Sequence, residues 1–208
     1  MKSFLLSLAL VTGMLSGTSA QNQHGQRLAD VTRSTPVTGY GAAVGKLTQF
    51  NGELAAMAGM QGGVTINHLS VGIGAYGLAT NHRSSEPGTN GNRVRWNLNY
   101  GGLLLDYTIL PQGAIHVTIG TLLGPGYVYK SERGSDLDND GDLDGRPFDQ
   151  SWCAIAEPQF NIEAAVFRWM RIAVGGSYRF ARGVETSGIT DKKLSAPSGN
   201  LTLKFGRF

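Results

Sequence analysis

From Val37 onward the chain repeats one texture: a run of alternating or continuously apolar residues, then a break. The apolar positions recur at spacing two, not at three and four, so the pattern predicts strands and no long amphipathic helix. Glycine and β-branched residues at these positions also disfavour helix. Eight strands are predicted: Tyr40–Gln49, Glu53–Ile66, Leu69–Thr80, Val94–Ile109, Ala114–Lys130, Trp152–Phe167, Met170–Ala181 and Leu201–Phe208.

Several of these strands divide into two faces of matched size. In "EPQFNIEAAV", Glu157, Gln159, Asn161 and Glu163 oppose Phe160, Ile162, Ala164 and Val166. In "RIAVGGSYRF", Ile172, Val174, Tyr178 and Phe180 oppose Ala173, Gly175, Ser177 and Arg179; "LTLKF" sets Leu201, Leu203 and Phe205 against Thr202 and Lys204. "VRWNLNY" opposes Val94, Trp96, Leu98 and Tyr100 to Arg95, Asn97 and Asn99. Continued through "GGLLLDY", that parity would put Asp106 on one lipid face with Trp96 and Leu98. A bulge at Gly101-Gly102 is therefore expected, turning Leu103, Leu105 and Tyr107 outward and Asp106 inward. A second bulge is expected at Pro158, which has no N–H for a ladder bond.

The breaks add a topology. Those at Asn67-His68, "PQG" and Arg168-Trp169 are short, whereas those near 81–93, 131–151 and 182–200 are long and polar. A closed antiparallel barrel with one plain end and one decorated end gives this alternation, and an even strand number returns both termini to the plain end. The predicted fold is all-β: a single closed antiparallel up-and-down barrel of about eight strands. Strands of ten or more residues can cross a bilayer when tilted, and closure leaves no backbone unpaired in lipid.

Composition refines the setting. "MKSFLLSLALVTGMLSGTSA" has Lys2, an apolar centre and the small residues Thr18-Ser19-Ala20, the layout of a secretory signal cleaved near Ala20. Residues 21–36 are polar and patternless, a flexible lead-in, and 37–208 form the barrel domain. Cys153 is the only cysteine, so no internal disulfide can form. The net charge of +3 is small and the basic residues form no run, which excludes nucleic acid as a partner.

The C-terminal "LTLKFGRF" resembles the closing strand of outer-membrane barrels, whose terminal aromatic is read by the barrel-assembly machinery. Phe208 departs from that pattern by falling out of step with Leu201, Leu203 and Phe205. "YGGLLLDY", "AEPQFNIEAAVFRWMRIAVGGSYRFARGV" and "LSAPSGNLTLKFGRF" together are similar to a family of small barrel proteins from Bacteroidota, over most of the mature chain. In size the chain is similar to the eight-stranded OmpA and OmpX barrels. The resemblance implies a bacterial outer-membrane location and lipid and the assembly machinery as partners, and it brings no established activity with it.

An eight-stranded barrel is filled by its own side chains. Glu157, Glu163, Arg95, Arg179, Lys46, Lys204 and Asp106 are expected to form a buried polar core with paired charges; the alternative is a gated pore or proton path. The acidic stretch "DLDNDGDLDG" lies in a break on the decorated side. Its Asp136, Asp138, Asp140, Asp142 and Asp144, with Gly141 for the turn, are spaced like the first nine positions of an EF-hand loop or a thrombospondin type 3 calcium loop. Pro147 stands where the bidentate Glu of an EF-hand belongs, and Asp149 is wrongly spaced to replace it. One site without that Glu predicts calcium affinity of roughly 0.1–1 mM. The competing reading is a solvated acidic loop.

Catalytic signals are thin. His24, His68, His82 and His116 are scattered, and His68 with Ser70 merely share a strand face. "GYGAAVG" and "VGIGAYG" neither open a helix nor carry a phosphate-binding lysine. The sequence thus describes a non-enzymatic outer-membrane barrel with a structural or surface-interaction role and a calcium-ordered external loop. Two alternatives are an outer-membrane lipid-modifying hydrolase and a soluble periplasmic, lipocalin-like carrier of an apolar ligand. The Glu157–Glu163 face separates the last from the first: lumenal carboxylates favour the membrane, solvent-facing ones the carrier.

Overall fold

A computed structural model of the chain describes residues 37–80, 82–83, 93–109, 115–133, 147–186 and 188–206. They all belong to the unit Pro36–Phe208. The strands are β1 (Val37–Phe50), β2 (Glu53–Ile66), β3 (Leu69–Leu78), β4 (His82–Arg83), β5 (Arg93–Thr108), β6 (Ile115–Arg133), β7 (Pro147–Phe167), β8 (Met170–Arg182) and β9 (Ala196–Gly206), with a one-turn helix α1 (Asp191–Leu194) before β9. Each pairs antiparallel with its neighbours in the order β3-β2-β1-β9-β8-β7-β6-β5-β4, and β3 pairs with β5 to close the sheet. Strand β4 continues the edge of β5 beyond β3, with Gly77↔Asn99 followed by His82↔Trp96. The barrel therefore has eight staves, as the alternation predicts.

One end, the terminal end, carries the two-residue turns at Asn67-His68 and Arg168-Trp169. The other, the loop end, carries the Asn51-Gly52 hairpin and the connections after β4, β6 and β8. Asn51 (φ 53°) and Gly52 (φ 85°) both take the left-handed conformation that a tight two-residue hairpin needs.

Three expectations are corrected. There is no bulge at Gly101-Gly102: the β5–β6 register runs from Tyr100↔Gly126 to Leu103↔Leu123 without slipping, and β3 pairs through both glycines. Trp96, Leu98 and Tyr100 do share a face with Asp106, and that face is the lumen; Trp96 is only 3% exposed. The parity conflict vanishes because the lumen itself is apolar toward the loop end. The Pro158 bulge is also absent. Thr121↔Pro158 stays in register with β6, while pairing to β8 skips Glu157 and Pro158 and resumes unshifted at Gln159↔Ser177. The missing N–H is absorbed by a gap in one ladder. Finally, β9 starts at Ala196, five residues before the expected Leu201, because its first residues put only Pro197 and Gly199 outward and so carry no apolar signal.

The register shifts that do occur lie elsewhere. Tyr129↔Gln150 is followed by Lys130↔Phe148, which leaves Asp149 as the extra residue, at φ 50°. Such a bulge re-aims a side chain. Here the carboxylate of Asp149 meets Lys130 Nζ at 2.8 Å and accepts a hydrogen bond from Thr186 Oγ1 at 2.6 Å.

Candidate functional site: an apolar outer wall around a filled lumen

Strand alternation places large apolar side chains outside and polar ones inside. Leu54, Met60, Ile73, Phe160, Ile162, Val174, Leu201 and many others are exposed, while Lys46, Glu157, Glu163, Arg179, Asn200 and Lys204 are buried. Aromatic rings gather toward both ends of this outer wall. At the terminal end Trp169 stacks on Phe167 and Phe205, with centroids 5.5 and 6.0 Å away. Toward the loop end Tyr127 packs on Trp152 at 4.8 Å and on Tyr129 at 5.2 Å.

The lumen has three tiers. Nearest the loop end it is an apolar plug in which Phe50, Met57, Leu98, Val128, Ile155, Ile189 and Leu194 pack together. α1 supplies Leu194 to that plug, and Arg179 ties the helix down. Its guanidinium is fully buried and donates to Leu194 O at 2.8 Å and Gln49 O at 3.2 Å, with Met57 Sδ 3.2 Å away.

The middle tier centres on Glu157. It accepts hydrogen bonds from Lys46 Nζ (2.8 Å), Tyr100 Oη (2.7 Å) and Ser177 Oγ (2.5 Å). Lys46 Nζ also lies 3.6 Å from the centroid of the Tyr76 ring, a desolvated cation–π contact. Both ionised side chains are 1% exposed. Paired and fully hydrogen-bonded, they meet the condition under which buried charges are tolerated.

The third tier opens at the terminal end as a polar cavity of about 230 Å³, lined by Asp106, His116, Glu163, Arg171 and Lys204 together with Ser and Thr hydroxyls. Glu163 is bound to Lys204 and lies 3.7 Å from Arg171, and Asp106 accepts from Gln159 Nε2 at 2.7 Å. The cavity thus neutralises its own charges and ends beneath the Lys46–Glu157 tier.

Of the seven charged residues predicted for the interior, six are there. Arg95 is corrected: it follows the outer parity of β5 opposite Ser131. Of the pairing expected among these charges, Lys46–Glu157 and Lys204–Glu163 form, but Arg179 is held by carbonyls and not by a carboxylate. The aromatic clasp of Tyr76 and Tyr100 went unread in the sequence, although Tyr100 keeps strict parity with Asp106.

Asp136, Asp138, Asp140, Asp142 and Asp144 lie outside the described residues, as do the signal segment, residues 21–36, His24 and Phe208. Asp149, weighed as a substitute calcium ligand, is engaged by Lys130 and Thr186. His68 sits exposed in its turn against Tyr107, at 6.1 Å between ring centroids, while Ser70 Oγ bonds Thr65 Oγ1 at 2.8 Å. The two do not form a nucleophile–base pair. Among the described residues no three His, Cys, Asp or Glu side chains converge as a metal site.

No protein-family model matches the chain, and no curated protein matches it. Solved structures do. Neisserial surface protein A (NspA) superposes with a TM-score of 0.55 at 13% identity, covering 82% of this chain and 96% of its own. Ail, the attachment invasion locus protein of Yersinia pestis, gives 0.43 at 9% identity, covering 82% of this chain and 95% of its own; its complex with the heparin analogue sucrose octasulfate gives 0.42 at 11%. The likeness to NspA establishes the fold: this chain is a small, closed, eight-stranded antiparallel barrel.

Proposed function

We propose that the chain is a non-enzymatic outer-membrane β-barrel of a Gram-negative bacterium, exported by the signal cleaved near Ala20, with a role in surface interaction. One observation carries this reading: the wall is apolar outward while Glu157, Glu163, Lys46 and Arg179 point inward. In water that wall would be an aggregating surface far larger than the patches monomeric proteins expose; in hydrocarbon it is the required one. The lipocalin-like carrier needs the opposite polarity, with apolar faces lining the lumen and carboxylates in solvent. The plugged lumen favours a role carried by the loop end over transport, in keeping with the likeness of fold to a surface protein. The assembly machinery would read the C-terminal strand, and the acidic loop from Asp136 to Asp144 would be ordered by calcium on the external side.

The test is the electrophoretic mobility of the membrane fraction with and without boiling. A detergent-resistant barrel gives a fast unboiled band that shifts on heating. Recovery of the protein in the soluble periplasm, with no shift, overturns the reading.

A further inference from the structure

The terminal cavity is neutral as a whole, but its charges are unevenly shared. Both of its cations sit on one carboxylate: Lys204 is bound to Glu163, and Arg171 lies 3.7 Å from it. The second carboxylate, Asp106, is equally deep at 6% exposed, yet its hydrogen-bond donor is an uncharged amide, Gln159 Nε2 at 2.7 Å. No cation among the described residues pairs with it. A buried carboxylate ordinarily has a counter-charge or several donors. Glu157, one tier above, has an ammonium and two hydroxyls.

The fold nevertheless makes room for Asp106 and surrounds it with oxygen. Register sets it opposite Ser70 of β3 and Gly120 of β6. A Cβ at residue 120 would collide with Asp106 Oδ1 and Leu105 O, so a glycine is required beside the carboxylate. One step toward the mouth, Thr108 pairs with Thr118, and both line the cavity of about 230 Å³ together with Asp106 and Ser70. Close by, Tyr40 has a buried hydroxyl with no hydrogen-bond partner among the described residues, and its ring centroid lies 4.9 Å from Lys204 Nζ.

These groups select a ligand. An ammonium brings one charge and three N–H donors and accepts nothing, which matches a carboxylate ringed by hydroxyls. Calcium takes about six to eight oxygens, and among the described residues no three His, Cys, Asp or Glu side chains converge. An anion would meet Asp106 itself. We propose that the terminal cavity binds the primary ammonium of a small water-borne amine, its charge paired with Asp106 and its remaining N–H groups given to the Ser70 and Thr118 hydroxyls. The mouth lies at the terminal end and not in the wall, so the amine arrives from water; in the membrane reading above, that water is the periplasm.

The probe is ethylammonium, with tetramethylammonium as a cation of equal charge that has no N–H. The barrel is folded in a detergent without amino groups and unfolded in urea, with the folded fraction read as the fast unboiled band. A ligand of so few atoms binds with an affinity of about 1 mM at best. At about 100 mM, ethylammonium should therefore raise the unfolding midpoint by about 1.4 M over the same concentration of tetramethylammonium. Asp106→Asn, which removes the charge, should abolish that difference. So should Thr118→Lys, which sets a tethered ammonium in the cavity, and it decides the matter if Asp106→Asn gives no fast band. Equal midpoints in the two cations for the unsubstituted barrel overturn the proposal, as does an equal rise in sodium chloride or a difference that survives in either folded variant. The fast band itself reports the barrel, so a folded barrel that ignores ethylammonium refutes the site and leaves the membrane reading standing.

Discussion

Removing Lys46 by Lys46→Met should leave one carboxylate stranded in the centre of the barrel. Glu157 is 1% exposed, and Lys46 is the cation among its three hydrogen-bonding partners, the others being Tyr100 and Ser177. Breaking a buried ion pair by deleting one partner costs about 3–5 kcal/mol, because the survivor keeps its desolvation penalty without the compensating charge. Tyr100 and Ser177 still donate, which places the expected loss near the lower limit, about 3 kcal/mol. At a urea dependence of about 2 kcal/mol/M, that lowers the unfolding midpoint by about 1.5 M. The assay is urea unfolding of the vesicle-reconstituted protein, with the folded fraction read as the fast unboiled band. Lys46→Met/Glu157→Gln removes both charges and should regain most of the loss, since a neutral replacement of a buried pair is often nearly neutral in stability. A shift under about 0.5 M for the single variant would refute the reasoning. So would a double variant whose loss equals the sum of the two single losses, because residues in contact should couple.

The pinch between β5 and β6 should be intolerant of one methyl group. Gly124→Ala drives a Cβ into the Gly101 and Gly102 backbone and should abolish the fast gel band, whereas Gly41→Ala, with open space around its Cβ, should leave it intact. Arg179→Lys keeps a charge but cannot reach Leu194 O and Gln49 O in the same fork, so α1 should loosen. Tryptic cleavage at the exposed Lys192 and Lys193 should then speed up by at least about tenfold, the equivalent of one net hydrogen bond of roughly 1.4 kcal/mol. Calcium titrated into the folded barrel should saturate with a midpoint of about 0.1–1 mM and fail to do so in Asp138→Asn/Asp140→Asn; calorimetry with no heat up to 10 times that range would make the acidic stretch a solvated loop.

Much of this molecule is written in its alternation. The sets Glu157–Glu163 against Phe160–Val166, and Thr202 and Lys204 against Leu201–Phe205, declared two faces of opposite character, and the break lengths declared a meander. Strand identity, count and closure follow from those, because a period-two pattern is local and survives any arrangement of neighbours. What alternation cannot state is which face is inside at a given height. The Trp96–Tyr100 row reads as a lipid face, yet it packs in the lumen in one cluster with Val128 of β6, Ile155 of β7 and Leu194 of α1. The three-tier filling, the Arg179 tether and the Tyr76–Lys46–Glu157–Tyr100 clasp all depend on register between strands. Register is set by closing the whole sheet, so it belongs to tertiary structure: two residues 111 positions apart, Lys46 and Glu157, become an ion pair only when the barrel closes and water is excluded between them.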